Sequence, residues 1–186
     1  MSVTFKADMS GITRMLEALG TDVEAAVRPA AAAGAEVLRA EVLRNVATLK
    51  EQSGNLREAI YKAYSRSQSS QGSATYHVSW RVPSKNKGHL PSAPHGHLIE
   101  NGHWMRYAVA RHPKTGRLYT LVRPEKRKSP RPKARASEAE KAAYYLPRPG
   151  GPLWVKARPF IRPAQAKFGE ALAAAESELL RRLGLV

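Results

Sequence analysis

The sequence predicts an α+β fold, with two long amphipathic helices packed on a small antiparallel sheet, and three observations lead to it. An apolar stripe, Val23, Val27, Ala30, Gly34, Leu38, Val42, Val46 and Leu49, advances in steps of three and four residues and so lines one face of a helix. A second stripe of the same period, Ala164, Phe168, Leu172, Ala175, Leu179 and Leu183, closes the chain. Between them Ala74, Tyr76, Val78, Trp80 and Val82 alternate with Thr75, His77, Ser79 and Arg81, the period of a half-buried strand. Elements segregated in this way predict helices covering one face of a sheet, with its other face and its edges left open to neighbours.

Taken in order, a short helix is expected over Gly11–Leu19, with Ser10 as its N-cap and Gly20 ending it. Thr21-Asp22-Val23-Glu24 reads as a capping box for the first long helix, about 40 Å in length. Its early stripe is mostly alanine, which permits close helix approach, and Pro29 should kink it or mark its true start. After Ser53-Gly54-Asn55 a helical turn carries Leu56 and Ile60. Ile60–Arg66 and Ala74–Val82 then form a hairpin across the polar stretch Ser65–Ser73. Tyr76 and Trp80 are read as core. Pro83–Pro94 is a loop. Met105–Ala110 and Leu118–Val122 are two more strands, joined through Pro113-Lys114-Thr115-Gly116. Ser137–Leu146 is a brief helix, Trp154–Phe160 a last strand, and Pro163 opens the final helix, with Phe160 and Phe168 anchoring it.

Charge divides the chain. Residues 1–110 carry 13 basic and 9 acidic side chains, residues 111–158 carry 14 and 3, and residues 159–186 carry 4 and 3. Most of the net charge of +16 therefore sits in about a quarter of the chain. The expectation is one domain over 1–186, near neutral, with a basic extended insertion arm at about 111–152. Arg123–Arg135, with three prolines and seven basic residues against one acid, is expected to be solvated. Arg111, Lys114, Arg117, Arg123, Lys126, Arg127, Lys128, Arg131, Lys133 and Arg135 could neutralise phosphates or acidic protein surfaces. Tyr107, Tyr119, Tyr144, Tyr145 and Trp154, interleaved with them, could stack on bases.

Other chemistry finds little footing. The chain has no cysteine, so disulfides, thiolate metal sites and cysteine nucleophiles are excluded. No apolar run reaches the length of a membrane span, and the first residues lack the blocks of a signal peptide, so cytoplasmic synthesis is expected. No Gly-x-Ser-x-Gly elbow or phosphate-cradling Gly-Lys-Ser/Thr loop is present. His95, His97, Glu100 and His103 alone resemble a metal cluster, but their spacing fits no zinc pattern. The simpler reading packs His97 and Glu100 into a strand or turn and leaves His95 and His103 exposed. No catalytic residue, metal or cofactor is therefore expected. Arg158 and Arg162 are candidates to pair with Glu100 or with another subunit.

Three motifs remain: Ser53-Gly54-Asn55-Leu56-Arg57 with Ile60; Leu98-Ile99-Glu100-Asn101-Gly102; and Arg158-Pro159-Phe160-Ile161-Arg162-Pro163-Ala164. Together and in this order they resemble the tail-completion or neck (head–tail joining) family of long-tailed phages, of the minor tail protein Z type. The likeness covers roughly residues 10–110 and 153–184; Asn101 replaces an aromatic residue usual in that family, and 111–152 is long for it. The resemblance implies a non-enzymatic virion protein, made in the host cytoplasm, that forms a ring of six subunits at the head–tail junction. Its partners would be itself, the head connector and the tail tube or tail terminator, with possible contact to packaged DNA and none to membrane. Gly54, Leu56, Ile60, Glu100, Gly102, Arg158, Pro159, Phe160 and Pro163 would be the structural residues of its motifs. A tail terminator, or a nucleic-acid-binding protein using the basic arm, are the alternatives.

Overall fold

A computed structural model describes residues 2–8, 22–49, 55–82, 91–116, 118–133 and 135–186. The chain divides into two compact units, Met1–Asn101 with Arg158–Val186, and Gly102–Ala157. The helix expected over Gly11–Leu19, the capping residue Thr21, Ser53 and Gly54, most of the Pro83–Pro94 loop, and Arg117 lie outside the described residues.

The first unit is α+β. Strand β1 (Val3–Asp8) pairs with β3 (Ser73–Trp80), which also pairs with β2 (Ile60–Tyr64), both antiparallel, giving the order β1-β3-β2. The register places Val3 opposite Val78, and Ile60 opposite Trp80. Ala74, Tyr76, Val78 and Trp80 are buried as the alternation predicts, and the β2–β3 hairpin forms across the expected polar stretch. Val82, expected on the same face, lies past the end of the strand and is exposed. Thr75, expected on the open face, is buried with its hydroxyl donating to the Gln68 carbonyl. β1 is an addition to the sequence reading: its apolar positions Val3, Phe5 and Ala7 are too few to stand out before a partner strand is known.

Helix α1 (Asp22–Ala47) packs on all three strands and on α5 (Phe168–Arg182), so it forms the centre of the unit. Val23, Val27, Ala30, Leu38, Val42 and Val46 of the predicted stripe are buried, together with Ala26, Ala31 and Ala35. Where α1 meets α5, alanines on both helices (Ala171 and Ala175 on α5) are fully buried, and small side chains let the backbones come close. The helix runs through Pro29, which denies the Ala25 carbonyl its usual donor four residues on. A short α2 (Asn55–Ala59) then buries Leu56 and leads directly into β2. Among the described residues, no helix is long and apolar enough to cross a membrane.

Two expectations for the last helix need correction. Phe160 is fully buried, but Phe168 and Leu172 are exposed, so of the two expected anchors Phe160 is the one in the core. The chain enters α5 through a 3-10 turn, Arg162–Lys167, whose tighter winding breaks the helical phase between Ala164 and Ala171. The buried face is Ala164, Ala171, Ala175 and Leu179.

Gly102–Ala157 is not the extended arm expected at 111–152 but a compact unit of short ladders. β4 (His103–Met105) pairs with β7 (Leu153–Val155), and β5 (Val109–Arg111) with β6 (Leu118–Thr120). The strand expected over Met105–Ala110 is thus split between two partners. Single bridges join Tyr107 to Pro147 and Val122 to Tyr145. Arg123–Arg135 folds back rather than extending: the Arg123 N–H donates to the Tyr144 carbonyl (3.0 Å), and the Tyr144 hydroxyl donates to the Ser129 carbonyl (3.4 Å). Helix α4 (Glu138–Tyr144) begins in a full capping box, in which Ser137 Oγ accepts from the Glu140 N–H and Glu140 Oε2 accepts from the Ser137 N–H.

Candidate functional site

Helix α3 (Gly96–Asn101) is one short turn held at both ends. At its start His97 Nδ1 lies 3.0 Å from the Pro94 carbonyl, and Gly96 lies against the Trp80 indole so tightly that a β-carbon there would sit 2.5 Å from Nε1. At its end Gly102 adopts φ +73°, a conformation that costs glycine little. In between, Glu100 is completely buried.

The Glu100 carboxylate is spent on backbone. Oε2 accepts from the N–H groups of Phe160 (2.7 Å) and Ile161 (3.0 Å), and Oε1 accepts from the Arg162 N–H (3.1 Å). These donors open the turn that leads into α5, where helical N–H groups have no partner of their own and favour a negative charge. A carboxylate some sixty residues upstream therefore caps this entry. Arg162 Nε stands 3.7 Å from Oε1, and its Nη2 donates to Asn101 Oδ1 (2.6 Å). The Arg158 N–H donates to the Ile99 carbonyl (2.8 Å), and Asn45 Nδ2 of α1 donates to the Phe160 carbonyl (3.0 Å). The strand expected to run through Phe160 ends at Val155 instead: Pro159 has no N–H to give a ladder, and the next three are taken by Glu100.

The motif residues converge here. Leu56, Ile60 and Phe160 belong to one buried cluster, with the Trp80 ring edge-on to Phe160 at 5.5 Å. Of the two arginines considered for Glu100, Arg162 reaches it, whereas Arg158 engages the junction through its backbone N–H. Pro159 and Pro163 flank the buried pair Phe160 and Ile161, both exposed, and Pro163 sits in the first turn of the 3-10 segment. Among the described residues no three histidine, aspartate or glutamate side chains gather as metal ligands. His95 is exposed as expected, but His97, expected to pack beside Glu100, is exposed too, and of the pair only Glu100 is buried.

The basic residues separate into groups within Gly102–Ala157. Arg111 and Lys114 belong to the β5–β6 hairpin, where Arg111 Nη1 donates to the Gly116 carbonyl (3.2 Å). Arg123 Nε donates to the Ala142 carbonyl (3.2 Å), so this side chain is partly committed to holding α4. Lys126, Arg127, Lys128 and Arg135 are exposed. Arg131 and Lys133 come together with Lys141 and Tyr145 around a cleft. Lys141 is not among the basic residues expected to contact phosphates, although its four-residue spacing from Tyr145 on an expected helix puts the two on one side. Lys141, with Arg106 next to it, holds the Glu138 carboxyl below its ordinary range, and the Ser137 cap does the same for Glu140.

No protein-family model matches the chain, and no curated protein or solved structure compared with it is significantly similar.

Proposed function

We propose that the protein is a non-enzymatic virion component of the tail-completion or neck type, which assembles into a ring and joins a phage tail to the head connector. The observation that supports this best is the convergence of the three motifs on which the resemblance rests: Leu56, Ile60 and Phe160 share one buried cluster, and Glu100 ties the second motif to the third through three backbone N–H groups. In this reading Glu100 is a positioning residue that sets the entry angle of the last helix. The two long helices are amphipathic supports, and Gly102–Ala157, with 14 basic and 3 acidic side chains, is a basic insertion facing neighbours or packaged DNA. A sheet ordered β1-β3-β2 has two different outer edges. Unlike edges suit the head-to-tail association from which closed rings are built.

The test is the mass of the purified chain by light scattering, alone and with isolated tails, followed by electron microscopy of whatever assembles. A discrete ring whose mass is a multiple of 20.4 kDa, or a monomer that joins tails, is the expected result. A monomer with no affinity for tails and tight, steeply salt-dependent duplex binding would replace this reading with a nucleic-acid-binding one. The concentration of a net charge of +11 in Gly102–Ala157 favours that second reading.

A further inference from the structure

The cleft in Gly102–Ala157 has a volume of about 440 Å³ and is lined by Arg131, Pro132, Lys133, Lys141 and Tyr145. We propose that it binds a phosphoryl group, either as free inorganic phosphate or as one phosphate of a nucleic-acid backbone. Binding at this cleft does not require ring assembly.

The lining brings three cations and a phenol together without a carboxylate among them. Arg131 Nε donates to the Tyr145 hydroxyl oxygen (2.9 Å), which fixes the plane of the guanidinium and leaves its two Nη groups without a partner among the described residues. The Lys133 ammonium likewise has no carboxylate within ion-pair distance among those residues. Lys141 is 3.3 Å from Glu138, but that carboxylate is shared with Arg106 at 2.5 Å. The cleft therefore carries uncompensated positive charge at close range.

The walls are also held in place before any ligand arrives. Tyr145 stands between the rings of Tyr107 and Tyr144, with centroids at 5.2 and 5.0 Å, and its backbone bridges to Val122. Lys141 projects from a helix whose start is fixed by the Ser137–Glu140 box. Pro132 restricts the backbone between the arginine and the lysine. Such preorganisation cuts the ordering cost of binding.

Stoichiometry of donors selects the ligand class. A carboxylate offers two oxygens in one plane, enough for the guanidinium fork and little more. Inorganic phosphate presents four oxygens in tetrahedral directions, matching an arginine and two lysines, while the phenol keeps the arginine in register. A backbone phosphodiester offers its two non-bridging oxygens out of any single plane with the cations around it.

The test uses the full chain and two paired variants, Arg131→Gln with Lys133→Gln in the cleft, and Lys114→Gln with Lys156→Gln elsewhere in the same unit. All four side chains are exposed, and thermal melts would check that both proteins stay folded. Inorganic phosphate is titrated by calorimetry at constant ionic strength, and a short labelled duplex is titrated by anisotropy. Loss of two charge-assisted contacts should weaken phosphate binding by about tenfold or more in the cleft variant and by less than about twofold in the control. Tyr145→Phe, which changes no charge, should weaken phosphate by about threefold through the freed guanidinium. If the duplex also loses about tenfold more in the cleft variant than in the control, and phosphate displaces it, the source is a nucleic-acid backbone. If phosphate binding falls but the duplex weakens equally in both variants, the source is free phosphate. No phosphate binding, or equal losses of phosphate in the two paired variants, would overturn the site and leave only a diffuse positive field.

Discussion

In the unit formed by Met1–Asn101 and Arg158–Val186, a continuous apolar cluster from Val3 to Leu179 is buried, including the fully enclosed Leu38, Val42, Val78 and Phe160. Among the described residues of Gly102–Ala157, Ala108 is the one buried apolar side chain, while Trp104, Leu118, Tyr119, Leu153 and Trp154 are exposed. The first unit is held by removal of apolar surface from water, at roughly 25 cal/mol per Å². The second relies on three-residue ladders and aromatic edges, each contributing on the order of 1 kcal/mol, together with one capping box and solvent-screened ion pairs. The difference teaches that a segment can be ordered in shape without a core, and that its shape then depends on many small, separable terms.

Equivalent injuries should thus cost far more in the first unit. Phe160→Ala removes a fully buried ring that meets Trp80 edge-on, and should destabilise the protein by about 3–5 kcal/mol in urea unfolding. Glu100→Ala leaves three backbone donors without their acceptor and should cost about 3–4 kcal/mol. Losses below about 1 kcal/mol for both would mean the junction collapses around the defect and does not organise the fold.

A pair of glycine substitutions sharpens the contrast. In Gly96→Ala the new methyl would lie 2.5 Å from the indole nitrogen of Trp80, a ring packed against Phe160 and unable to retreat, so about 2–3 kcal/mol should be lost. Gly150→Ala meets nothing within 4 Å, but the backbone there has φ +79°; about 1 kcal/mol is expected. Thermal melts of the two variants should keep that order. The reverse order would show that the second unit is the better packed.

The same contrast explains what could be read in advance. Periodicity marks the burial of long elements, so Val23–Val46 and the alternation Ala74–Trp80 were legible as helix and strand. The Glu100 junction was legible only as a pair of motifs: nothing in local sequence says that a carboxylate will cap a helix entry sixty residues on, because that is decided by tertiary packing. In Gly102–Ala157 a rich supply of charge and proline suggested an extended arm. Backbone hydrogen bonds from Arg123 to Tyr144 and from Leu146 to Leu121 fold it instead, and such pairing leaves little hydropathy signature in three-residue strands. Phe168 and Leu172 misled in the opposite sense, since their spacing fits a stripe whose phase the 3-10 turn has shifted.

A smaller effect should follow from removing an exposed aromatic. Trp104 and Trp154 face each other across β4 and β7 with centroids 5.3 Å apart, both about half exposed. Trp154→Ala should lower global stability by less than about 1 kcal/mol while speeding amide hydrogen exchange locally, at His103–Met105 and Leu153–Val155. In the unaltered protein the amides of Leu38, Val42 and Val78 should exchange most slowly. If Trp154→Ala accelerates those as well, the two units unfold together and the distinction between them is only one of composition.

The smallest effect concerns charge on the surface of α5. Hydrogen bonds from Arg181 and then Arg182 hold the Glu178 carboxyl down at about 2, against 4.5 for an ordinary glutamate. Because the folded value is depressed, the contribution to stability is complete above pH 4.5 and is lost as the pH falls through about 2. Glu178→Gln should therefore melt slightly below the unaltered protein at neutral pH, with the gap closing as both are taken into acid. Solvent and salt screen this pair, so the gap should also narrow at high ionic strength. A gap that stays constant down to acid pH would locate the effect of the substitution in helix propensity or packing, and would remove ion pairing from the account of how the last helix is held.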